Sequence, residues 1–170
     1  MTLVQLALVS IFPAGVIAAA LTDATTYTIP NRLSAALALA FAPAALAVGL
    51  SPMALAISLG LGVAGLAVGI VMFALRWIGG GDAKLLAACA LWLGLGAIAP
   101  FLVWTALAGG ALAVGLLLLR KAPLRLADFG PAWFGRLMTP GGDVPYGVAI
   151  AAGALLALPD AAIFTRLHGA

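Results

Sequence analysis

The sequence predicts an all-α, polytopic membrane protein with about six transmembrane helices and both termini on the non-cytoplasmic side. Three observations lead there. Of its 170 residues, 65% are hydrophobic and only 8% are charged, whereas soluble domains are about 25% charged. The chain divides into apolar stretches close to the roughly 20 residues that span a bilayer. Its cations fall in alternate connections between those stretches. So little polar sequence leaves no room for a separate soluble domain. Residues 1–170 are expected to form one membrane-embedded unit whose main surroundings are the lipid bilayer.

The first apolar stretch covers residues 3–22. Ala18-Ala19-Ala20 resembles a signal-peptide cleavage site, but no Lys or Arg precedes Arg32. The basic region of a signal peptide is therefore missing, and the stretch reads as a retained helix. A polar connection, residues 23–32, follows. The second helix is expected over 33–50, with Ser51-Pro52 as a tight turn, and the third over 53–77. Gly79-Gly80-Gly81 interrupts the apolar pattern before a fourth helix over 83–99. Pro100 marks a break, and a fifth helix covers 101–119. The segment 120–144 is less apolar, and the sixth helix covers 145–164.

Glycines in these stretches, among them Gly65-x-x-x-Gly69 in the third and Gly109, Gly110 and Gly115 in the fifth, allow helix backbones to pack closely in lipid. Trp77 and Trp133 suit the membrane interface, and Trp92 and Trp104 suit packing or an outer-leaflet anchor. Phe129, Trp133, Phe134 and Leu137, set among basic residues, suggest an interfacial amphipathic helix near the entry to a site.

With six spans, the connections after the first, third and fifth helices share one side. They hold Arg32, Arg76, Lys84, Arg120, Lys121, Arg125 and Arg136, and only Arg166 lies on the other side. This bias orients those connections toward the cytoplasm. Cationic residues in such a chain report topology, and no nucleic-acid partner is implied. The one cysteine, Cys89, lies in an apolar run and reads as a small core residue, so disulfides and Cys-rich zinc sites are excluded.

The acids follow a second pattern. The chain has five Asp and no Glu. Asp23 closes the first helix and Asp82 opens the fourth, which brings both to the cytoplasmic edge of the bilayer. A carboxylate against a bilayer is expensive and marks a functional site. Two of them within a few ångströms would share a proton, one ionised to activate water and one protonated to polarise a peptide carbonyl. The only histidine, His168, lies in the outer tail. That argues against Ser-His-Asp, Cys-His and His-based metal sites, and no metal or organic cofactor is implied. Each element also has a plainer reading. Asp82 could cap the fourth helix, Pro30 and Asn31 could simply make a turn, and Asp143 beside Gly141-Gly142 suits a turn. Asp82 with Lys84 could instead serve a small proton-coupled transporter or channel, or the chain could be a non-catalytic assembly factor.

Three motifs add to this. Gly79-x-Gly81-Asp82 followed by Ala83-Lys84-Leu85-Leu86-Ala87-Ala88 resembles the GxGD signature of membrane-embedded aspartic proteases, and its extended form resembles the type IV prepilin peptidase family. Asp23, followed after five residues by Ile29-Pro30-Asn31, is similar to that family's first catalytic aspartate and turn. Val144-Pro145-Tyr146-Gly147 is similar to the opening of its last helix. The three occur in the family's order.

The resemblance implies an aspartic endopeptidase of the bacterial inner membrane that cleaves the leader of pilin-like precursors on the cytoplasmic side. Asp23 and Asp82 would be the catalytic pair. Gly79 and Gly81 would allow close approach of the substrate backbone, Lys84 would support the acid or shape the site, and Pro30, Asn31, Pro145 and Tyr146 would shape it. The likeness is to the short form associated with tight-adherence (Flp-type) pili. The cysteine-bearing region of larger members, many of which N-methylate their product, has no counterpart here. That departure counts against methyltransferase activity.

Overall fold

A computed structural model describes residues 2–121 and 130–168. The described residues are all-helical or connecting segments. The elements are α1 (Leu3–Thr26), α2 (Asn31–Ala47), α3 (Pro52–Ala74), α4 (Gly80–Lys121), α5 (Ala132–Leu137), α6 (Tyr146–Leu156), a 3-10 turn (Leu158–Asp160) and α7 (Ala162–His168). Three of them, α1, α3 and α4, are long and apolar enough to cross a membrane.

Local chemistry sets the helix ends. Thr2 and Gln5 close a reciprocal capping box at the start of α1. Ser51 accepts from the Ala54 N–H at the start of α3, with Pro52 in the first turn, where its missing N–H is no loss. The polar connection expected over 23–32 is much shorter. Helix α1 runs on to Thr26 and α2 begins at Asn31, because Thr22, Thr25 and Thr26 turn their hydroxyls back onto carbonyls of α1 instead of ending it. Asp23 therefore lies in the last turn of a helix rather than in a loop.

The largest departure is in α4. Pro100 lies inside the helix, and the break falls at Gly94, whose φ of 65° and ψ of −171° are closed to other residues. In a bundle, neighbouring helices can re-satisfy the backbone groups that a proline frees, so Pro100 need not end the helix. A straight run from Asp82 to Ala113 would extend about 45 Å, yet both residues line one cavity. Helix α4 therefore folds back at Gly94 into two arms. The last helix is also divided. Pro159 cannot continue α6, and a 3-10 turn leads into α7.

The helices run between two ends of the molecule. At one end the Gln5 side chain donates to the Ala47 carbonyl (2.8 Å), and Arg166 donates to the Gly49 carbonyl (3.3 Å). At the other end Lys84 meets Asn31 (2.6 Å), and Arg136 meets the Thr25 carbonyl (2.6 Å). Arg125, Asp128 and Phe129 lie outside the described residues. Helix α5 is a single short turn-and-a-half with no buried residue, moored to the end of α1 through Arg136.

An aromatic cluster fills the core. Phe12 stacks on Trp92 (5.1 Å between centroids), and Phe41 meets Trp92 edge-on (5.7 Å). The Trp92 indole donates to the Leu37 carbonyl (2.8 Å), so its one polar group is satisfied. Trp92 is thus a packing residue, and Cys89 beside it is fully buried. Helix α3 lies along the first arm of α4. A Cβ at Gly69 would come within 3.0 Å of the Ala83 backbone, so glycine is what allows the two helices to touch there. Away from that contact, α3 leaves Val68, Ile70 and Val71 exposed, as suits a helix bordered by lipid.

Replacing Gly94 with alanine should destabilise the folded protein by about 1–3 kcal/mol, the usual cost of a non-glycine residue in this backbone region. Pro100→Ala should cost less. Denaturant titration in detergent micelles measures both, and the reverse ranking would contradict Gly94 as the break.

Candidate active site

Asp23 and Asp82 line one cavity of about 540 Å³. Its wall also includes Tyr27, Arg76, Gly79, Asp143 and Tyr146.

Asp23 is 5% exposed. Its Oδ2 accepts a hydrogen bond from the Gly147 N–H at 2.7 Å. This N–H is available because it belongs to the first turn of α6, where helical N–H groups have no partner within the helix. The approach requires glycine. A Cβ at position 147 would lie 2.8 Å from Asp23 Oδ2 and 2.8 Å from Ile29 Cδ1.

Asp82 is held in a related way. Gly79 precedes α4, and the Ala83 N–H donates to its carbonyl. Asp82 is then the third helical residue, and its Oδ2 accepts from the Gly79 N–H at 3.2 Å. It is not the cap itself but the acid that reaches back to the cap, as the acidic member of a capping box does. The helix N-terminus further favours negative charge there. Its other oxygen, Oδ1, is buried and has no hydrogen-bond partner among the described residues.

Ile29 sets the spacing between these two supports. Its Cδ1 packs at Gly147, while a Cβ at Gly81 would come 3.0 Å from its Cβ. The close approach at Gly81 is thus made by the Ile29-Pro30-Asn31 turn, and at Gly79 by Asp82 itself, 3.1 Å from where a Cβ would be.

Of the other residues singled out in the sequence, Tyr146 lines the cavity and lies across Gly109 of the second α4 arm. Pro145 precedes α6, and Pro30 precedes α2 in extended backbone. Lys84 donates to Asn31 Oδ1 and joins α4 to α2. It lies two residues beyond Asp82 and so faces away from it, since residues two apart in a helix do not share a face. Lys84 and Asn31 border a second, apolar cavity of about 520 Å³ between α2, α3 and α4.

Gly147, Ile29, Tyr27 and Arg76 were not singled out as site residues in the sequence. Gly147 carries a usable signal, because it follows Pro145-Tyr146 at the start of a helix. Asp143 both follows the turn at Gly141 (φ 75°) and lines the cavity. It is positioned by Arg120, which donates to the carbonyls of Leu137 (2.9 Å), Gly142 (2.8 Å) and Asp143 (2.8 Å). Among the described residues no group of three His, Cys, Asp or Glu is arranged to hold a metal ion.

Gly147→Ala should strain the contact with Asp23 and Ile29 and destabilise the protein by about 1–3 kcal/mol, as overpacking does. Ala149→Gly in the same helix should cost about 1 kcal/mol or less. Unfolding curves in micelles compare them, and equal losses would contradict the tight fit at Gly147. Arg120→Lys should lose the forked contact to three carbonyls and speed protease nicking at residues 138–143. An unchanged rate would show that this fork does not hold the segment.

The type IV leader peptidase family matches residues 10–114. No curated protein and no solved structure gives a significant match. The matched stretch begins in α1, ends in the second arm of α4, and includes both Asp23 and Asp82. The Pro145-Tyr146-Gly147 segment lies beyond it. With the match covering more than half of its length, the chain belongs to the type IV leader peptidase family, a family of proteases.

Proposed function

We propose that this protein is a membrane-embedded aspartic endopeptidase that removes the leader of pilin-like precursors at the cytoplasmic face of the bacterial inner membrane. The observation that carries the reading is the meeting of Asp23 and Asp82, far apart in sequence, on one cavity within the family-matched stretch.

The chemistry follows from the pair. Two carboxyls on one small cavity carry one proton between them. The ionised carboxylate takes a proton from water as the water oxygen bonds to the scissile carbonyl carbon. The carbonyl oxygen accepts the proton of the other carboxyl. The carbon–nitrogen bond then breaks as a proton passes to the leaving nitrogen. The backbone N–H groups of Gly147 and Gly79 hold one oxygen of each carboxylate. This leaves the remaining oxygens to act on water and substrate.

Counting the two α4 arms separately, and α6 with α7 as one span, gives six crossings with both termini on the far side. Support comes from the cations. Arg32, Arg76, Lys84, Arg120, Lys121 and Arg136 fall at the cavity end and Arg166 at the other, so the cavity end is assigned to the cytoplasm. A proton-coupled transporter would hold its acids near the middle of the bundle. Here the two carboxylates lie at one end.

Asp23→Asn and Asp82→Asn should each lower cleavage of a pilin-like precursor in proteoliposomes by about 10²–10⁴-fold, with insertion unchanged. Full processing by either variant would sink the dyad. Ion flux without cleavage would favour the transporter.

A further inference from the structure

Among the described residues, the two non-glycine residues with left-handed backbone are Tyr27 (φ 53°) and Arg76 (φ 59°). Both line the cavity that holds Asp23 and Asp82. Each ends a helix. Tyr27 closes α1, with its N–H on the Asp23 carbonyl. Arg76 closes α3, where the Arg76 and Trp77 N–H groups bond to the Phe73 and Met72 carbonyls. Glycine is the usual residue at such stops and would make both turns without strain. Strained backbone of this kind gathers at functional sites, so the two side chains need a reason beyond ending helices.

Tyr27 carries a second cost. Its hydroxyl is buried and has no hydrogen-bond partner among the described residues. An unmade hydrogen bond on a buried polar group is unfavourable. In the same cavity wall, Asp82 Oδ1 is also buried and unpartnered. The hydroxyl is a donor and the carboxylate oxygen an acceptor, yet they do not satisfy each other. A ligand that accepts at one point and donates at another would satisfy both. The tetrahedral carbon formed by water attack on a peptide, with its two oxygens, is such a group.

We infer that the Tyr27 hydroxyl donates a hydrogen bond to the scissile carbonyl oxygen of the peptide substrate as that oxygen gains charge. The inference rests on the peptidase reading above. Tyr27 keeps its proton throughout. Water still yields its proton to the dyad, the dyad still protonates the carbonyl oxygen, and the tyrosine lowers the barrier by a hydrogen bond stronger in the transition state than in the bound substrate.

The test uses the full-length protein in proteoliposomes with a pilin-like precursor. Tyr27→Phe removes the hydroxyl alone. Loss of one such donor lowers kcat by about a hundredfold, and KM should change less than about threefold, because ground-state binding does not use the contact. A peptide bearing a hydroxylated tetrahedral carbon at the scissile position should lose a similar factor in affinity, while the uncleaved parent peptide should not. Tyr27→Gly should cleave as slowly as Tyr27→Phe. If Tyr27→Phe cleaves within about twofold of the unaltered protein, a range no lost oxyanion donor would allow, the assignment of Tyr27 falls and the dyad stands. If the Asp23→Asn or Asp82→Asn protein cleaves normally, the dyad and this inference fall together.

Discussion

The site depends on one hydrogen bond, from the Gly147 N–H to Asp23 Oδ2 at 2.7 Å. A carboxylate almost fully buried in an apolar bundle needs donors, because an unpaired buried charge is far more costly than an exposed one. Few side-chain donors are at hand in so apolar a chain, so the backbone supplies them. Helix N-termini are the places where backbone N–H groups are free. The start of α6 serves Asp23, and the residue before α4 serves Asp82. A side chain at 147 would crowd the carboxylate it holds, while one at 79 would come 3.1 Å from the tip of Asp82, a contact that a small shift of that side chain relieves. Ile29 then fixes their separation, packed against Gly147 on one side and Gly81 on the other.

The wall around these supports is polar and strained. Tyr27 and Arg76 hold left-handed backbone there, and two buried oxygens of that wall find no partner among the described residues. The stabilising contacts lie elsewhere. The Phe12, Phe41 and Trp92 cluster packs the interior, and the Trp92 indole ties α4 to α2. Direct contact between α3 and the first arm of α4 adds to it. Helix packing in lipid rests on such close contacts rather than on removal of apolar surface from water. A rigid bundle can therefore carry a strained rim at one end, while its outer apolar faces meet the bilayer.

The fold-back of α4 completes the cavity. The first arm brings Asp82 and the second brings Ala113 to the same wall. Arg120, at the end of the second arm, then holds the carbonyls of residues 137, 142 and 143 and so delivers Asp143 and Val144 to the cavity. One guanidinium orders a segment that has little regular structure of its own, which a point-charge lysine could not do with the same geometry.

Much was decided by the sequence alone. Its low charge and its apolar runs determine a membrane-type helical chain, and their approximate placement follows from the length needed to span a bilayer. The motifs around Asp23, Asp82 and Pro145 mark the regions that meet at the cavity. The sequence suggests that Lys84 supports the acid or shapes the site; in the fold it lies two residues beyond Asp82 and bonds to Asn31. Other features were decided only by tertiary structure. With 21 glycines in the chain, nothing local distinguishes Gly94 as the one that breaks α4, and Pro100 is the more obvious breaker until neighbouring helices support it. Nothing in the residues Tyr27 or Arg76 announces left-handed backbone, because intrinsic preference disfavours it and only the surrounding contacts impose it. Pairing of the carboxylates with particular N–H groups, and the gathering of Tyr27, Arg76 and Asp143 around them, arise between segments far apart in the chain. Local pattern sets where each helix forms, and packing between helices decides which of their ends meet.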